Sequence, residues 1–318
     1  MRRITQACAS LLLAAALAAC SATDYRAPVQ AFGTATHEGG RLVDAYGQER
    51  ADAQFALRRA VLAGRGDQVV VRGADCRAGA PRGACVLRAG PAGTPVEPGM
   101  PSARPAELAA ALSHYAAGLT AVATATTEAE FDTASGNLKG ALTALAGAVP
   151  AASGAAGLVD PAAAIVQGVG GLVLQERRFM LLRRAINAAD PAVQQAAGEL
   201  AAVVAGQHEA AADDRAALIA RLAALYNAMM PQPGVQGASA AASRDALLAR
   251  IADLTAAQRR LLADEPAAEL RRLGEAHAAL RQGVNDPTPP IAQLTEDLKR
   301  LSDRLRRAAD GAMRLAPG

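Results

Sequence analysis

Apolar residues recur every three or four positions along most of the chain, which is the spacing of one face of an α-helix. The pattern predicts a first helix over about 29–62, whose first half is weakened by glycines and could be kinked or thinly packed. The most regular repeat lies in the final helix and could pair within the chain or, less favourably, with a second copy. Its seam is Ile291, Leu294, Leu298, Leu301, Leu305, Ala308, Ala312 and Leu315.

Helix starts are marked by capping residues and prolines. Thr127 followed by Glu130 matches a capping box, in which each residue bonds a free backbone N–H of the first turn. Asp160-Pro161 and Asp190-Pro191 each place a cap before a proline, so they predict two successive helices, ending near Ala188 and Met230. Leu108 to Val122 predicts another helix over about 105–123.

A short β-hairpin is predicted after the first helix. Residues 67–73 and 85–88 have the apolar, β-branched composition of strands, and residues 90–105 read as a Gly- and Pro-rich loop. Cys76 and Cys85 lie near the turn of this hairpin, and a disulfide there would contribute about 2.7 kcal/mol by loop closure. Metal binding or redox chemistry are the alternatives, although no C-x-x-C motif is present and no histidine lies nearby.

These elements predict a mainly α protein, an elongated antiparallel helical bundle with coiled-coil-like helices and a small disulfide-stapled β-hairpin. Alanine dominates the 51% of hydrophobic residues and aromatic residues make up only 3%, so we expect closely packed helices with a thin core. The expected organisation is a signal peptide at 1–19, a tether at 20–28, a helical domain at 29–230 with the hairpin inserted at 67–90, a linker at 231–242, and a C-terminal helical hairpin at 243–318 packing on the bundle.

The N-terminus has the layout of a bacterial secretory signal. Arg2 and Arg3 precede an apolar run over 4–19, which is shorter than the roughly 20 residues that a membrane span needs. The run ends at Leu17-Ala18-Ala19-Cys20, which resembles the lipobox of bacterial lipoproteins. The alternative is an ordinary secretory signal cut near an A-x-A site.

The lipoprotein resemblance implies that the Cys20 thiol carries a diacylglycerol and that its freed amine is acylated, for example with palmitate. Two or three buried chains would hold the protein to a membrane almost permanently. Ser21 in place of Asp favours the periplasmic face of the outer membrane over the inner membrane, by resemblance to enterobacterial sorting. Removal of Arg2 and Arg3 leaves 31 basic and 30 acidic residues, a balance that does not support a nucleic-acid partner.

No catalytic, cofactor-binding or metal-binding residues are predicted. His37 and His208 each precede a glutamate, but Arg41 and Ala212 stand where an HExxH zinc site needs its second histidine. These two histidines are interpreted as solvated or helix-surface residues, and His277, on an apolar seam, as a partly buried, hydrogen-bonded core residue. Gly168-Val-Gly170 lacks the strand and last glycine of a dinucleotide loop.

The chain as a whole resembles helical envelope lipoproteins of Gram-negative bacteria, a resemblance that implies no activity. The sequence therefore predicts a non-enzymatic structural or interaction module, anchored to a membrane, whose partner is an envelope protein or a cell-wall polymer. The C-terminal helices could support an oligomer. The alternatives are a membrane-active protein that uses the apolar segment 140–174 and, disfavoured, an enzyme of unknown class.

Overall fold

The computed structural model describes residues 25–65, 69–71, 87–89, 94–96, 103–149, 173–229, 238–286 and 290–314. Most of these residues are helical, which confirms the mainly α class. The helices are α1 (Arg26–Arg65), α2 (Ala103–Thr124), α3 (Glu128–Ala148), α4 (Leu174–Ala228), α5 (Ala238–Ala263), α6 (Pro266–Asn285) and α7 (Ile291–Met313).

The chain divides into two compact units, each assembled from three separate segments. Unit 1 comprises Met1–Val43, Arg104–Ala202 and Ala267–Arg307, and unit 2 comprises Asp44–Ala103, Val203–Pro266 and Ala308–Gly318. The long helices α1 and α4 therefore contribute residues to both units. This division follows contacts between distant segments, whereas the boundaries expected from sequence follow chain order.

Helix α1 begins at Arg26, two residues before the end of the tether expected at 20–28. Tyr25 is already buried, and its carbonyl accepts the Val29 N–H at 3.1 Å. Pro28 lies in the first helical turn, where a missing N–H costs no intrahelical bond. The prediction that 25–28 belong to the tether was therefore wrong.

In unit 1 the start of α1 runs antiparallel to α2. The Arg26 guanidinium donates to the Thr124 carbonyl at 3.2 Å, and a methyl group in place of the Gly33 hydrogen would lie 3.3 Å from Thr120 Oγ1. Near Gly40, further along α1, the corresponding neighbour is Ala109, earlier in α2. Gly33 and Gly39 therefore lie on faces of α1 that side chains of neighbouring helices approach closely.

Helix α6 is antiparallel to both α1 and α4. The Tyr25 hydroxyl donates to the Gly283 carbonyl near the end of α6, whereas Gly39 faces Leu270 near its start. Along α4, Asn187 bonds Asn285 and the Gln194 side-chain amide donates to the Gly274 carbonyl at 2.6 Å. The predicted antiparallel arrangement is therefore present among these helices of unit 1.

Helix α4 continues through Pro191, so the prediction that Asp190-Pro191 starts a new helix was wrong. Pro191 has no N–H to donate to the Asn187 carbonyl, a loss that costs stability in a helix interior. The Asp190 carboxylate does not cap a helix, because His277 and Arg281 of α6 bind it. The predicted start at Asp160-Pro161 lies outside the described residues.

The capping box and the hairpin strands are present. Thr127 Oγ1 accepts the Glu130 N–H, and the Glu130 carboxylate accepts the Thr127 N–H.

Strand β1 (Val69–Val71) pairs antiparallel with β2 (Leu87–Ala89), with Val70 opposite Arg88. A third strand, β3 (Thr94–Pro95), pairs with β2. The prediction of a loop over 90–105 was therefore wrong at these two residues. Pro95 is tolerated because β3 lies at the edge of the sheet.

The core of unit 2 includes a cluster of α1, α4 and α5 residues. Buried alanines of α1 and larger aliphatic residues of α4 and α5 form it: Ala56, Ala60, Leu218, Leu222 and Leu254.

Helix α5 begins at Ala238, inside the linker expected at 231–242. The segment 243–318 contains parts of three helices, not the two of a hairpin, because Pro266 starts a new helix directly after Asp264-Glu265.

The seam of α7 is buried within the chain at Leu298, Leu301, Leu305 and Ala312, whereas Ile291 and Leu294 are half-buried. In unit 1, Leu294 faces Gly283 and the Arg304 side chain donates to Glu269 at 2.9 Å, so α7 is antiparallel to α6. These contacts favour the intrachain pairing expected of this seam.

Gly118 of α2 and Gly136 of α3 provide a matched test of close helix packing. A methyl group on Gly118 would lie 3.0 Å from the Leu138 Cα, whereas one on Gly136 would meet nothing within 4 Å. We expect Gly118→Ala to lower the free energy of unfolding by about 1–3 kcal/mol, because the helices must separate. Gly136→Ala should raise it by roughly 0.5–1 kcal/mol through helix propensity. Urea unfolding measures both, and stabilisation by both substitutions would contradict this packing.

Candidate functional site

The predicted lipidation residue Cys20 and the predicted disulfide partners Cys76 and Cys85 lie outside the described residues. Lipidation and the disulfide therefore stay predictions. The described residues instead contain two buried polar clusters, one in each unit, and these are the chemically distinctive sites of the structure.

The unit 1 cluster is centred on His277, which is completely buried in α6. Its Nδ1 lies 2.9 Å from Asp190 Oδ1 of α4, and its Nε2 lies 2.9 Å from the Tyr115 hydroxyl of α2. The Phe32 ring of α1 packs against the imidazole at 5.3 Å between centroids. Side chains from three neighbouring helices therefore enclose His277.

The hydrogen-bond partners assign the protons of this cluster. An ionised Asp190 carboxylate can only accept, so Nδ1–H of His277 donates to it, and Nε2 accepts the Tyr115 hydroxyl proton. Burial lowers the pKa of His277, although the carboxylate opposes this effect. The hydrogen bond from His277 lowers the pKa of Asp190, and burial raises the pKa of Tyr115. The neutral imidazole thus links an ionised carboxylate to a neutral phenol.

Arg281 completes the electrostatic surroundings of Asp190. Its Nε lies 3.2 Å from Asp190 Oδ2, one turn beyond His277 on α6, and its side chain is half exposed. Both carboxylate oxygens of Asp190 therefore have donors, which compensates for burial of the charge.

The unit 2 cluster contains an ion pair between Arg215 of α4 and Glu49 of α1, with side chains 2% and 0% exposed. Burial raises the pKa of Glu49 to about 7, and the adjacent guanidinium partly opposes this effect. Removal of one partner from such a pair typically costs about 3–5 kcal/mol, because the other charge stays buried without compensation.

Tyr46 and His208 lie in the same unit. Their rings pack edge to face at 5.7 Å, and His208 Nε2 lies 2.8 Å from the Leu261 carbonyl, to which it donates. Burial raises the pKa of Tyr46, and the charges of Asp264 and Glu49 act in the same direction. His208 therefore connects α4 to α5, which corrects its interpretation as a surface residue.

His37 and His277 match their sequence interpretations. His37 and His114 are exposed on α1 and α2, and His277 is a hydrogen-bonded core residue. Within the residues that the structure describes, no cluster of three or more His, Cys, Asp or Glu side chains could hold a metal ion.

An open groove of about 650 Å³ lies at the junction of α2 and α3, where Thr124, Thr126, Glu130 and Thr133 contribute polar side chains. The Thr126 backbone N–H bonds the Glu130 carboxylate at 2.7 Å and lowers its pKa. Glu130 is therefore engaged in capping α3. His277 is not among the residues that line this groove.

The chemistry of the two clusters is that of buried structural contacts. In a nucleophilic site, the base must lie within reach of a substrate, but the packed rings of Phe32 and Tyr115 cover the His277 imidazole. Its two nitrogens are both occupied by side chains of the same unit. The imidazole of His277 therefore joins helices of unit 1 and is not exposed to solvent.

No model of a known protein family, no curated protein and no solved structure matches the chain. Among the described helices, none is both long and apolar enough to cross a membrane. The half of the apolar segment 140–174 that falls in α3 has Ala141, Leu142 and Leu145 buried, and residues 150–172 lie outside the described part.

Sequence reasoning missed the partners of both clusters, although a signal existed for the ion pair. Glu49 follows Leu42 and Tyr46 on the buried stripe of α1, and Arg215 continues the stripe of Ala211 on α4. Opposite charges at apolar positions of two helices indicate a buried pair. Asp190 was missed because its position before a proline resembles a cap.

The burial of His277 predicts that the folded protein loses stability as the pH falls. Because its folded pKa lies below the ordinary 6.5, the unfolded chain binds a proton that the folded protein does not as the pH falls below that value. This difference should lower the free energy of unfolding by up to about 1.4 kcal/mol between pH 7.5 and 5.5. We expect His277→Gln to remove this component, measured by urea unfolding at both pH values.

The comparison needs a matched control variant, and the other buried group with a shifted pKa must be taken into account. His114→Gln makes the same substitution at an exposed histidine of α2 and serves as the matched control. The raised pKa of Glu49 adds stability as the pH falls through about 7, but this component is common to all three proteins. Parallel pH profiles for the wild type and His277→Gln would show that the imidazole is not held neutral.

Proposed function

We propose that the protein is a lipid-anchored, non-enzymatic module of the bacterial envelope, attached through Cys20 to the periplasmic face of the outer membrane and presenting helices to an envelope protein or cell-wall polymer. The observation that carries the proposal is the sequence Leu17-Ala18-Ala19-Cys20 at the end of an apolar run that follows Arg2 and Arg3.

The position of the first helix supports an anchoring role for Cys20. Tyr25 is buried and α1 begins at Arg26, so only residues 21–24 separate the proposed lipid site from the described structure. A lipid at Cys20 would thus hold unit 1 directly at a membrane surface.

The charges of the described helices support an interaction role. Many exposed residues of α7 form ion pairs one turn apart, among them Lys299 with Glu296 and Arg300 with Asp297. Such pairs balance basic with acidic side chains, an arrangement that keeps a surface soluble and does not favour nucleic acid. Burial of Leu142 and Leu145 in α3 weighs against a membrane-inserting role for that half of 140–174.

The anchor is tested by Cys20→Ser, with Cys8→Ser in the same signal region as the matched control. We expect the wild type and Cys8→Ser to incorporate labelled palmitate and to sediment with membranes. Cys20→Ser should lose the label and appear in soluble or unprocessed form, because the serine hydroxyl cannot form the thioether. Equal palmitate labelling of Cys20→Ser and the wild type would exclude the proposed anchor.

The interaction role is tested separately by cross-linking in intact envelopes. The acylated protein should co-purify with a discrete envelope protein or wall fragment that is reduced for a scrambled-surface variant of α7. Capture of neither would remove the interaction role while leaving the anchor in place.

A further inference from the structure

One end of unit 1 is defined by interhelical contacts around Tyr25. The Tyr25 hydroxyl donates to the Gly283 carbonyl of α6, and its ring lies 5.7 Å from that of Phe179 in α4. These contacts fix the start of α1 between α4 and α6. The α1 start is therefore part of the packed unit.

The α2–α3 connection lies at the same end. Arg26 donates to the Thr124 carbonyl, and Arg178 of α4 donates to the Ala125 carbonyl at 2.6 Å. Arg177 pairs with Glu128 in the first turn of α3. We define the Tyr25 end as residues 25–26, 124–128, 177–179 and 283.

The distance from Cys20 to this end is limited by the chain itself. Five residue steps separate Cys20 from Tyr25, and a fully extended chain spans at most about 3.6 Å per residue, so the two Cα atoms are at most about 18 Å apart. Acyl chains buried in the bilayer would hold Cys20 at the headgroup level. The Tyr25 end must then stay close to the headgroups.

Helix α3 leads away from the Tyr25 end. It begins at Glu128, beside Arg177, and its 21 residues extend about 30 Å at 1.5 Å per residue. Ala129 and Gly147 are exposed near its two ends and lie about 27 Å apart along the axis. The length of α3 exceeds the reach of the tether.

Several basic residues on α6 and α7 are paired with acidic neighbours, which weakens their attraction to anionic lipid. On α7, Lys299, Arg300 and Arg306 each pair with an acidic residue three positions earlier. On α6, Glu269 pairs with Arg272 and also with Arg304 of α7. Attraction to headgroups needs uncompensated basic residues, each worth about 1 kcal/mol. A lipid at Cys20 would set which end of unit 1 lies nearest the bilayer, because the tether is short.

We infer that the Tyr25 end of unit 1 faces the headgroup surface of the bilayer and that α3 points away from it, a surface assignment that rests on the proposed lipid anchor at Cys20. The partner of the Tyr25 end is thus a lipid surface, and the far end of α3 is directed away from the membrane.

The experiment places a fluorescent donor at either end of α3. Azidophenylalanine at Ala129 or at Gly147 is coupled to a dye, which leaves all native cysteines in place. The acylated full-length protein is reconstituted into vesicles of phosphatidylethanolamine and phosphatidylglycerol that carry a headgroup acceptor. A dye pair whose energy transfer falls off over a short distance distinguishes the heights of the two positions above the membrane.

We expect energy transfer from position 129 to exceed that from position 147 by at least about twofold, because the positions differ by about 27 Å in height. Equal transfer, which a unit lying along the surface would give, or greater transfer from position 147 would overturn the orientation. Unfolding curves that match the wild type show that the labelled proteins are folded.

Palmitate labelling separates the orientation from the anchor. If the protein takes up palmitate and binds vesicles but shows equal transfer, only the orientation is wrong. If the protein takes up no palmitate at Cys20, the proposed anchor fails and the orientation fails with it.

Discussion

The hydrogen-bonded imidazole of His277 is the interaction on which the packing of unit 1 depends. It is enclosed by Phe32 of α1, Tyr115 of α2 and Asp190 of α4, and each of its nitrogens has one partner. A buried imidazole without partners would cost about 1–3 kcal/mol for each unpaired group. Any shift of α6 along its neighbours would separate these atoms, so the cluster favours one register of the helices.

Such polar contacts matter because many of the buried residues are alanines. Alanine and glycine allow helices to approach closely, as at Gly118 against Leu138, but they bury little area and discriminate weakly between registers. The Glu49–Arg215 pair has the corresponding place in unit 2, where alanines of α1 face leucines of α4. A displaced register there would leave a buried charge unpaired, at a cost of several kcal/mol.

The elements that depend on local physics were predictable from the sequence. The capping box at Thr127, the hairpin strands and the burial of the central leucines of the α7 seam follow from neighbouring residues. The errors arose where tertiary contacts override a local signal. Asp190-Pro191 resembles a helix start, yet the Asp190 carboxylate binds His277 and α4 continues through both residues. Pro95 and its neighbour form a strand only because β2 offers an edge.

The candidate sites also differ in how far they could be predicted from the sequence. Cys20 is predicted from a contiguous motif, whereas the partners of His277 lie 87 and 162 residues away in sequence. The most direct measurement of the proposed function is mass spectrometry of the tryptic peptide Cys20–Arg26 from purified membranes. The account predicts that this peptide is the mature N-terminus and carries a diacylglyceryl thioether and an N-acyl chain. An unmodified Cys20, or a mature N-terminus at another residue, would contradict it.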